Sequence, residues 1–152
     1  MHTRRDMLSS SVSVATLLAT VGMLPAWAQA AYNRSAFDAT NMAELMKALG
    51  AGSPTESKDV IVTGPDIFEN GAVVPIGVAT ALPGVKRMLV LVEKNPMILS
   101  AMFDVTDAVE PSFSIRVKMA QSSNVVAVAM TNDGRVLFAK KEINVTLGGC
   151  GG

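Results

Sequence analysis

Phe113-Ser114-Ile115-Arg116-Val117-Lys118-Met119 alternates apolar and polar side chains without a break. Successive side chains of a strand point to opposite faces. The segment Ser112–Met119 therefore reads as a half-buried strand with one wet face. Its pattern spreads in both directions. Downstream lie two further strands, Asn124–Met130 and Arg135–Leu147, joined by Asn132-Asp133-Gly134, the composition of a tight hairpin. Upstream, period-two segments at Val60–Thr63, Ala72–Ala79, Lys86–Glu93 and Ile98–Asp104 add four more, separated by turn residues. Gly64-Pro65 and Asn70-Gly71 read as loops, and Asn95-Pro96 turns the chain between two strands. Seven short strands with regular turns predict a mainly β chain, an immunoglobulin-like antiparallel sandwich.

Three details of the strands carry expectations. Pro75 lacks an amide hydrogen, which demotes its strand to an edge or a bulge. The last strand slips phase: Val136 and Phe138 are even, whereas Ile143, Val145 and Leu147 are odd. A bulge near Lys140-Lys141 would return these side chains to one face. Met88–Val92 and Val125–Met130 are apolar on both faces, as strands covered on both sides are.

Ahead of the strands lies one helix signal. Met42, Leu45, Met46 and Leu49 fall at i, i+3, i+4 and i+7 and form one apolar face. Asn41 and Glu44 have the spacing of a capping box, and Gly50, Gly52 and Pro54 end the segment. The methionines read as core packing. The helix Asn41–Leu49 spans only about 13 Å at 1.5 Å per residue. That is too short to cover the outer face of a sheet, so the two-sided apolar strands predict a partner protein laid against one of them.

Residues 1–30 read as an address. A charged head containing Arg4-Arg5 precedes an uncharged run from Met7 to Leu24, and Pro25-Ala26-Trp27-Ala28-Gln29-Ala30 supplies small residues at Ala28 and Ala30. These are the three regions of a secretory signal, cut after Ala30 or after Ala28. Thr3-Arg4-Arg5 followed by Met7-Leu8 favours twin-arginine export over the general secretory route. The expected location is the periplasm, with no membrane attachment once the signal is gone.

The chain has 152 residues, 13 basic and 13 acidic side chains, one histidine and one cysteine. Balanced charge argues against nucleic-acid binding, which needs a basic field. Signal removal takes His2 with it, and a chain without histidine has no Ser-His-Asp or Cys-His catalysis and no zinc site of the Cys/His type. No catalytic residue, metal or cofactor is expected.

One reactive group remains. The sequence closes on Gly148-Gly149-Cys150-Gly151-Gly152, with the lone cysteine between pairs of glycines. Glycine has no side chain to pack. Residues 148–152 therefore predict a free, thin arm, reaching about 17 Å when extended. No acid, base or cation adjoins the thiol in sequence, so the arm presents sulfur to another protein and builds no active site around it. Residues 31–147 would form the sandwich that carries it.

This tail, on a small exported β domain with a twin-arginine signal, resembles the SoxY family, the sulfur carriers of thiosulfate-oxidising systems. Glu93-Lys94-Asn95-Pro96 is similar to an Asn-Pro turn of that family. The resemblance implies a carrier and not an enzyme: Cys150 holds thiosulfate-derived sulfur covalently. It implies a stable complex with SoxZ and passing encounters with SoxAX, SoxB and, where present, SoxCD. Two other readings remain. One is a ubiquitin-like sulfur carrier using the carboxylate of Gly151-Gly152, and the other is an exported β-sandwich binding module.

Overall fold

In a computed structural model of the chain, residues 33–147 are described. The signal predicted at 1–30, with Arg4, Arg5, Ala28 and Ala30, and the arm predicted at Gly148, Gly149, Cys150, Gly151 and Gly152 lie outside the described residues.

Two short helices come first, α1 (Arg34–Phe37) and α2 (Met42–Ala48). Nine strands follow: β1 (Thr55–Glu56), β2 (Val60–Thr63), β3 (Ile67–Asn70), β4 (Val74–Thr80), β5 (Val85–Val92), β6 (Leu99–Asp104), β7 (Ser112–Val117), β8 (Ser123–Thr131) and β9 (Val136–Leu147). The larger sheet runs β1-β9-β8-β5-β6, and β3 also pairs with β9. The smaller runs β2-β4-β7. The predicted mainly β sandwich is what the chain forms.

The cap of α2 follows from its sequence. Asn41 Oδ1 accepts from the Glu44 amide at 2.9 Å, the first half of a capping box. The returning carboxylate reaches one residue further than the motif requires: Glu44 Oε2 accepts from the Thr40 amide at 3.0 Å and from the Thr40 hydroxyl at 2.9 Å. The bond from the Thr40 amide, then the one from its hydroxyl, hold this carboxyl below its ordinary range. The one-turn helix α1 is an addition to the predicted helix. Asn33 caps it, accepting from the Ala36 amide, and ties it to α2 by donating to the Ala48 carbonyl at 3.1 Å.

The core has two halves on either side of the larger sheet. Between the sheets, Met88, Val90, Val92, Val125, Ala127 and Ala129 meet the inner side chains of β2, β4 and β7. On the opposite face, Leu89, Leu91, Val126 and Val128 meet Leu45 and Met46 of α2 and Ala36 of α1. Every one of these residues in β5 and β8 is at most 1% exposed. The two-sided apolar strands are thus covered on both faces by the chain itself. This overturns the expectation that a partner must cover them. Two helices and the loops around them form a layer wider than the single helix counted from sequence.

The same layering explains the phase slip of β9. No bulge occurs near Lys140-Lys141, because β8 and β9 stay in one continuous register from Ser123↔Ile143 to Met130↔Val136. Instead the strand serves both halves of the core in turn. Val136 and Phe138 pack beneath the helices, whereas Leu137, Ala139, Ile143 and Val145 pack between the sheets. Beyond the helical cover, the even positions Lys140, Glu142, Asn144 and Thr146 are exposed. Lys141, on the inner side, forms an ion pair with Asp66 that holds the Asp66 carboxyl below its usual range.

Pro75 also departs from expectation. Its strand β4 is the middle of three, yet the ladder toward β2 ends at Thr63↔Gly77. Pro75 has β7 as its one strand neighbour, opposite Arg116, so it meets an edge locally within a central strand. At the Asn132-Asp133-Gly134 hairpin, Gly134 takes φ +87° and its amide donates to the Thr131 carbonyl at 3.1 Å, as in a three-residue hairpin loop.

Candidate functional site

The predicted arm leaves from the end of β9, and the fold fixes that point firmly. β3 lies parallel to the last residues of β9, with Ile67 opposite Asn144, Phe68 opposite Val145 and Asn70 opposite Leu147. The Leu147 carbonyl accepts from the Gly71 amide at 2.8 Å, and the Gly71 carbonyl accepts from the Met119 amide at 2.6 Å. Gly71 is buried between the two. From the other side of β9, the Val145 amide donates to Ser122 Oγ at 3.0 Å. The last described residue is therefore stitched to β3 and, through it, to the loop after β7.

The Asn95-Pro96 turn closes the same end of the sandwich. Asn95 Nδ2 donates to the Lys118 carbonyl at 2.7 Å, and Asn95 Oδ1 accepts from the Ala120 amide at 3.0 Å. Its neighbours lock onto the start of β8. The Lys94 amide donates to Ser123 Oγ at 3.0 Å, and Asn124 Nδ2 donates to Glu93 Oε2 at 2.8 Å. A side-chain amide with a donor and an acceptor both matched by backbone behaves like an extra strand residue. Asn95 thus holds the 118–122 loop, and that loop holds the root of the arm.

The structure brings the Glu93–Pro96 turn and the base of the arm together. Cys150 and its four glycines lie beyond Leu147 and outside the described residues. Sequence reasoning misses β3, the strand that anchors the root. Its residues read as loop because only Phe68 is buried even partly, and the other three strand residues are exposed. The period-two apolar signal is therefore absent. The parallel contact with β9 that makes it a strand is not a local property of its sequence.

Around the root the charges are sorted. Phe68 packs inward, so Ile67 and Glu69 point to the far face of β3. On the outer face of the smaller sheet, Arg116 and Lys118 are exposed, and among the described residues neither has a carboxylate at ion-pair distance. Among the described residues, no group of three or more His, Cys, Asp or Glu side chains is placed to hold a metal. No described helix is long and apolar enough to cross a membrane.

The family model of sulfur oxidation protein SoxY matches residues 45–150. This chain belongs to the SoxY family. The match begins within α2 and runs through the strands to Cys150. Among solved structures, the sulfur carrier protein SoxY from Chlorobium limicola f thiosulfatophilum is 33% identical, with a TM-score of 0.61. The alignment covers 68% of this chain and 93% of that one. Two structures of superoxide reductase (neelaredoxin) from Ignicoccus hospitalis, one of them a point variant, reach a TM-score of 0.51 at 16% identity. They cover 57% of this chain and 78% and 79% of their own, a likeness of fold alone. No curated protein matches the chain. Family membership sets aside the ubiquitin-like reading, and the solved SoxY relative is itself a sulfur carrier protein.

Proposed function

We propose that this chain is a periplasmic carrier, not an enzyme, that holds thiosulfate-derived sulfur covalently on Cys150. One observation carries the reading: the family match extends through residue 150 and so takes in the one cysteine of the sequence. A carrier needs a nucleophilic sulfur, a thin stalk and a fixed origin for that stalk. The glycines at 148, 149, 151 and 152 supply thinness, and the bonds of Leu147 to Gly71 and of Gly71 to Met119 supply the origin.

The Cys150 thiol and thiosulfate (S–SO3, charge 2−) join through a new S–S bond, releasing one proton and two electrons. The product is Cys150–S–S–SO3 with one negative charge. The electrons go to a haem enzyme, SoxAX in the systems this family serves. Hydrolysis by SoxB then breaks the sulfane–sulfonate bond: water enters, sulfate and two protons leave, and a persulfide anion stays on Cys150. A sulfur dehydrogenase such as SoxCD would oxidise that sulfur further. SoxZ would be the standing subunit of the complex. Arg4-Arg5 and the Ala28/Ala30 cleavage site support export as a folded pair on this chain's signal.

The test is intact mass spectrometry of protein isolated from the periplasm, paired with Cys150→Ser. Sulfur or thiosulfonate adducts on the peptide containing Cys150, and loss of thiosulfate-dependent activity in the serine variant with unchanged thermal stability, are expected. Retained activity in Cys150→Ser would remove the carrier reading.

A further inference from the structure

The outer face of the three-stranded sheet has a composition unlike the rest of the surface. Along β4 and β7, Gly77, Ala79, Ser112 and Ser114 keep it low, while Ile61 of β2, 50% exposed, stands opposite Ala79. Its cations, Arg116 and Lys118, stand at one end, beside Val73, which is 46% exposed. Val74 pairs with Val117, so Val73 and Lys118 flank the same edge of the ladder. Asp59 and Glu110, accompanied by Lys58, lie toward the opposite end, next to Thr80. The cationic end is also the arm end: Lys118 precedes Met119, which is two hydrogen bonds from Leu147.

Covalent geometry makes this placement consequential. Cys150 is three residues beyond Leu147, and three residues span at most about 10 Å. A catalytic group that touches the Cys150 sulfur therefore brings the surface of its own protein onto the root of the arm. Two faces adjoin the root. On the far side of β9, Lys140 stands with Glu142 and Glu69, so the charge is of both signs. On the small-sheet side the charge is of one sign and, among the described residues, unpaired.

We infer that the arm end of this face, around Val73, Arg116 and Lys118, is the docking surface for the enzymes that act on Cys150, and that those enzymes carry carboxylates around the mouth of a shallow, narrow cleft. The inference rests on the carrier reading. An acidic rim pairs with the two free cations and steers encounter. The flat row of small side chains lets the partner's surface approach closely enough for a short arm to enter its cleft. Cations outside the cleft serve recognition of protein, while the anionic sulfonate is met inside the partner.

The experiment uses the exported chain with whatever subunit co-purifies, loaded with thiosulfonate, and the SoxB hydrolase as the probe. Lys118→Glu and Arg116→Glu are compared with Lys140→Glu, the same charge change on the other sheet. Sulfate release is followed at about 20 mM and about 500 mM salt, because screening separates steering from other losses. Each reversal at 116 or 118 should lower kcat/KM about 5- to 10-fold at low salt, chiefly through association. The loss should fade at high salt, kcat should hold, and the rate of a small maleimide with the free Cys150 thiol of unloaded protein should not change. Lys140→Glu should behave as wild type. Equal losses in all three variants, or none in any, would overturn the inference. So would dissociation of the co-purifying subunit by Lys118→Glu, since the face would then belong to that subunit. Failure of the carrier reading looks different: Cys150→Ser would still turn over. An inactive serine variant beside silent variants at 116 and 118 removes the docking surface alone.

Discussion

Leu45→Ala measures whether the chain covers its own larger sheet. Leu45 is fully buried on α2, in the half of the core shared with Leu89, Leu91, Val126 and Val128. Truncating a buried leucine removes its transfer free energy and leaves a cavity, and such changes cost about 3–5 kcal/mol where the site cannot collapse. Here one wall of the site is a sheet held by continuous ladders from β9 through β8 to β5. The other wall is a helix of seven residues that can move inward. The lower end, about 3 kcal/mol, is therefore expected. With a urea m-value of about 2 kcal/mol/M, the midpoint falls by about 1.5 M at unchanged m. The assay is urea unfolding of residues 31–152 followed by far-UV circular dichroism, with the thiol blocked to prevent disulfide dimers. A maleimide rate at Cys150 in an unblocked sample should match wild type, since α2 shares its half of the core with Val136 and Phe138, at the start of β9 and far along the strand from Leu147. A loss below about 1 kcal/mol would refute the reasoning. It would mean that the helices do not pack on the sheet in solution, and the outer face would again need a partner.

Replacing Gly149 or Gly151 by Trp should slow the enzymes acting on Cys150 far more than it slows a small thiol reagent, because a thin stalk serves entry and does not activate sulfur; equal losses in stopped-flow assays of both reactions would contradict this. Asn95→Ala removes two matched hydrogen bonds and should cost about 1–2 kcal/mol, with hydrogen exchange accelerated first at Ala120 and Met119; protection there unchanged would show that Asn95 does not hold the loop. Asp133 accepts from the Thr131 hydroxyl and from Arg135, bonds that lower its carboxyl from 3.8 to about 2. A depressed carboxyl stabilises the fold fully above pH 3.8, and the contribution is lost as pH falls toward about 2. Asp133→Asn should therefore be slightly less stable than wild type at pH 7, with the gap closing between about pH 4 and about pH 2 in thermal melts; a gap that stays constant over that range would exclude the linkage.

Most of the strands were legible because they alternate. Val60–Thr63 has the same bounds in sequence and structure, and the six other long strands agree within about two residues at their ends. What was illegible is of one kind. β1 and β3 exist by lying parallel to β9, with mostly exposed side chains and no period of their own. α1 is a single turn held by Asn33, too short for a helical period to register. The phase slip in β9 was visible, but its cause was not local. A slip at Lys140-Lys141 looks the same in sequence whether the strand bulges or a helical layer ends above it, and only the neighbours of Phe138 and Ile143 decide.

The tail is a different case and lies outside the described residues: its reading comes from composition, a lone cysteine among glycines, and the carrier role proposed for it is supported by the family match through residue 150. The anchoring of Leu147 needed the structure, because it joins residues far apart in sequence: Gly71, Asn95, Met119 and Leu147. This changes how a partner must be recognised. Had the larger sheet been bare, any protein with an apolar face could have covered it, and affinity would have come from burial. With that sheet closed by α1 and α2, the exposed features near the root of the arm among the described residues are the unpaired cations Arg116 and Lys118 together with the apolar Ile67, Val73 and Leu147. Cations so placed favour fast, salt-sensitive encounters with passing enzymes. That suits a carrier, which must leave each enzyme as readily as it arrives.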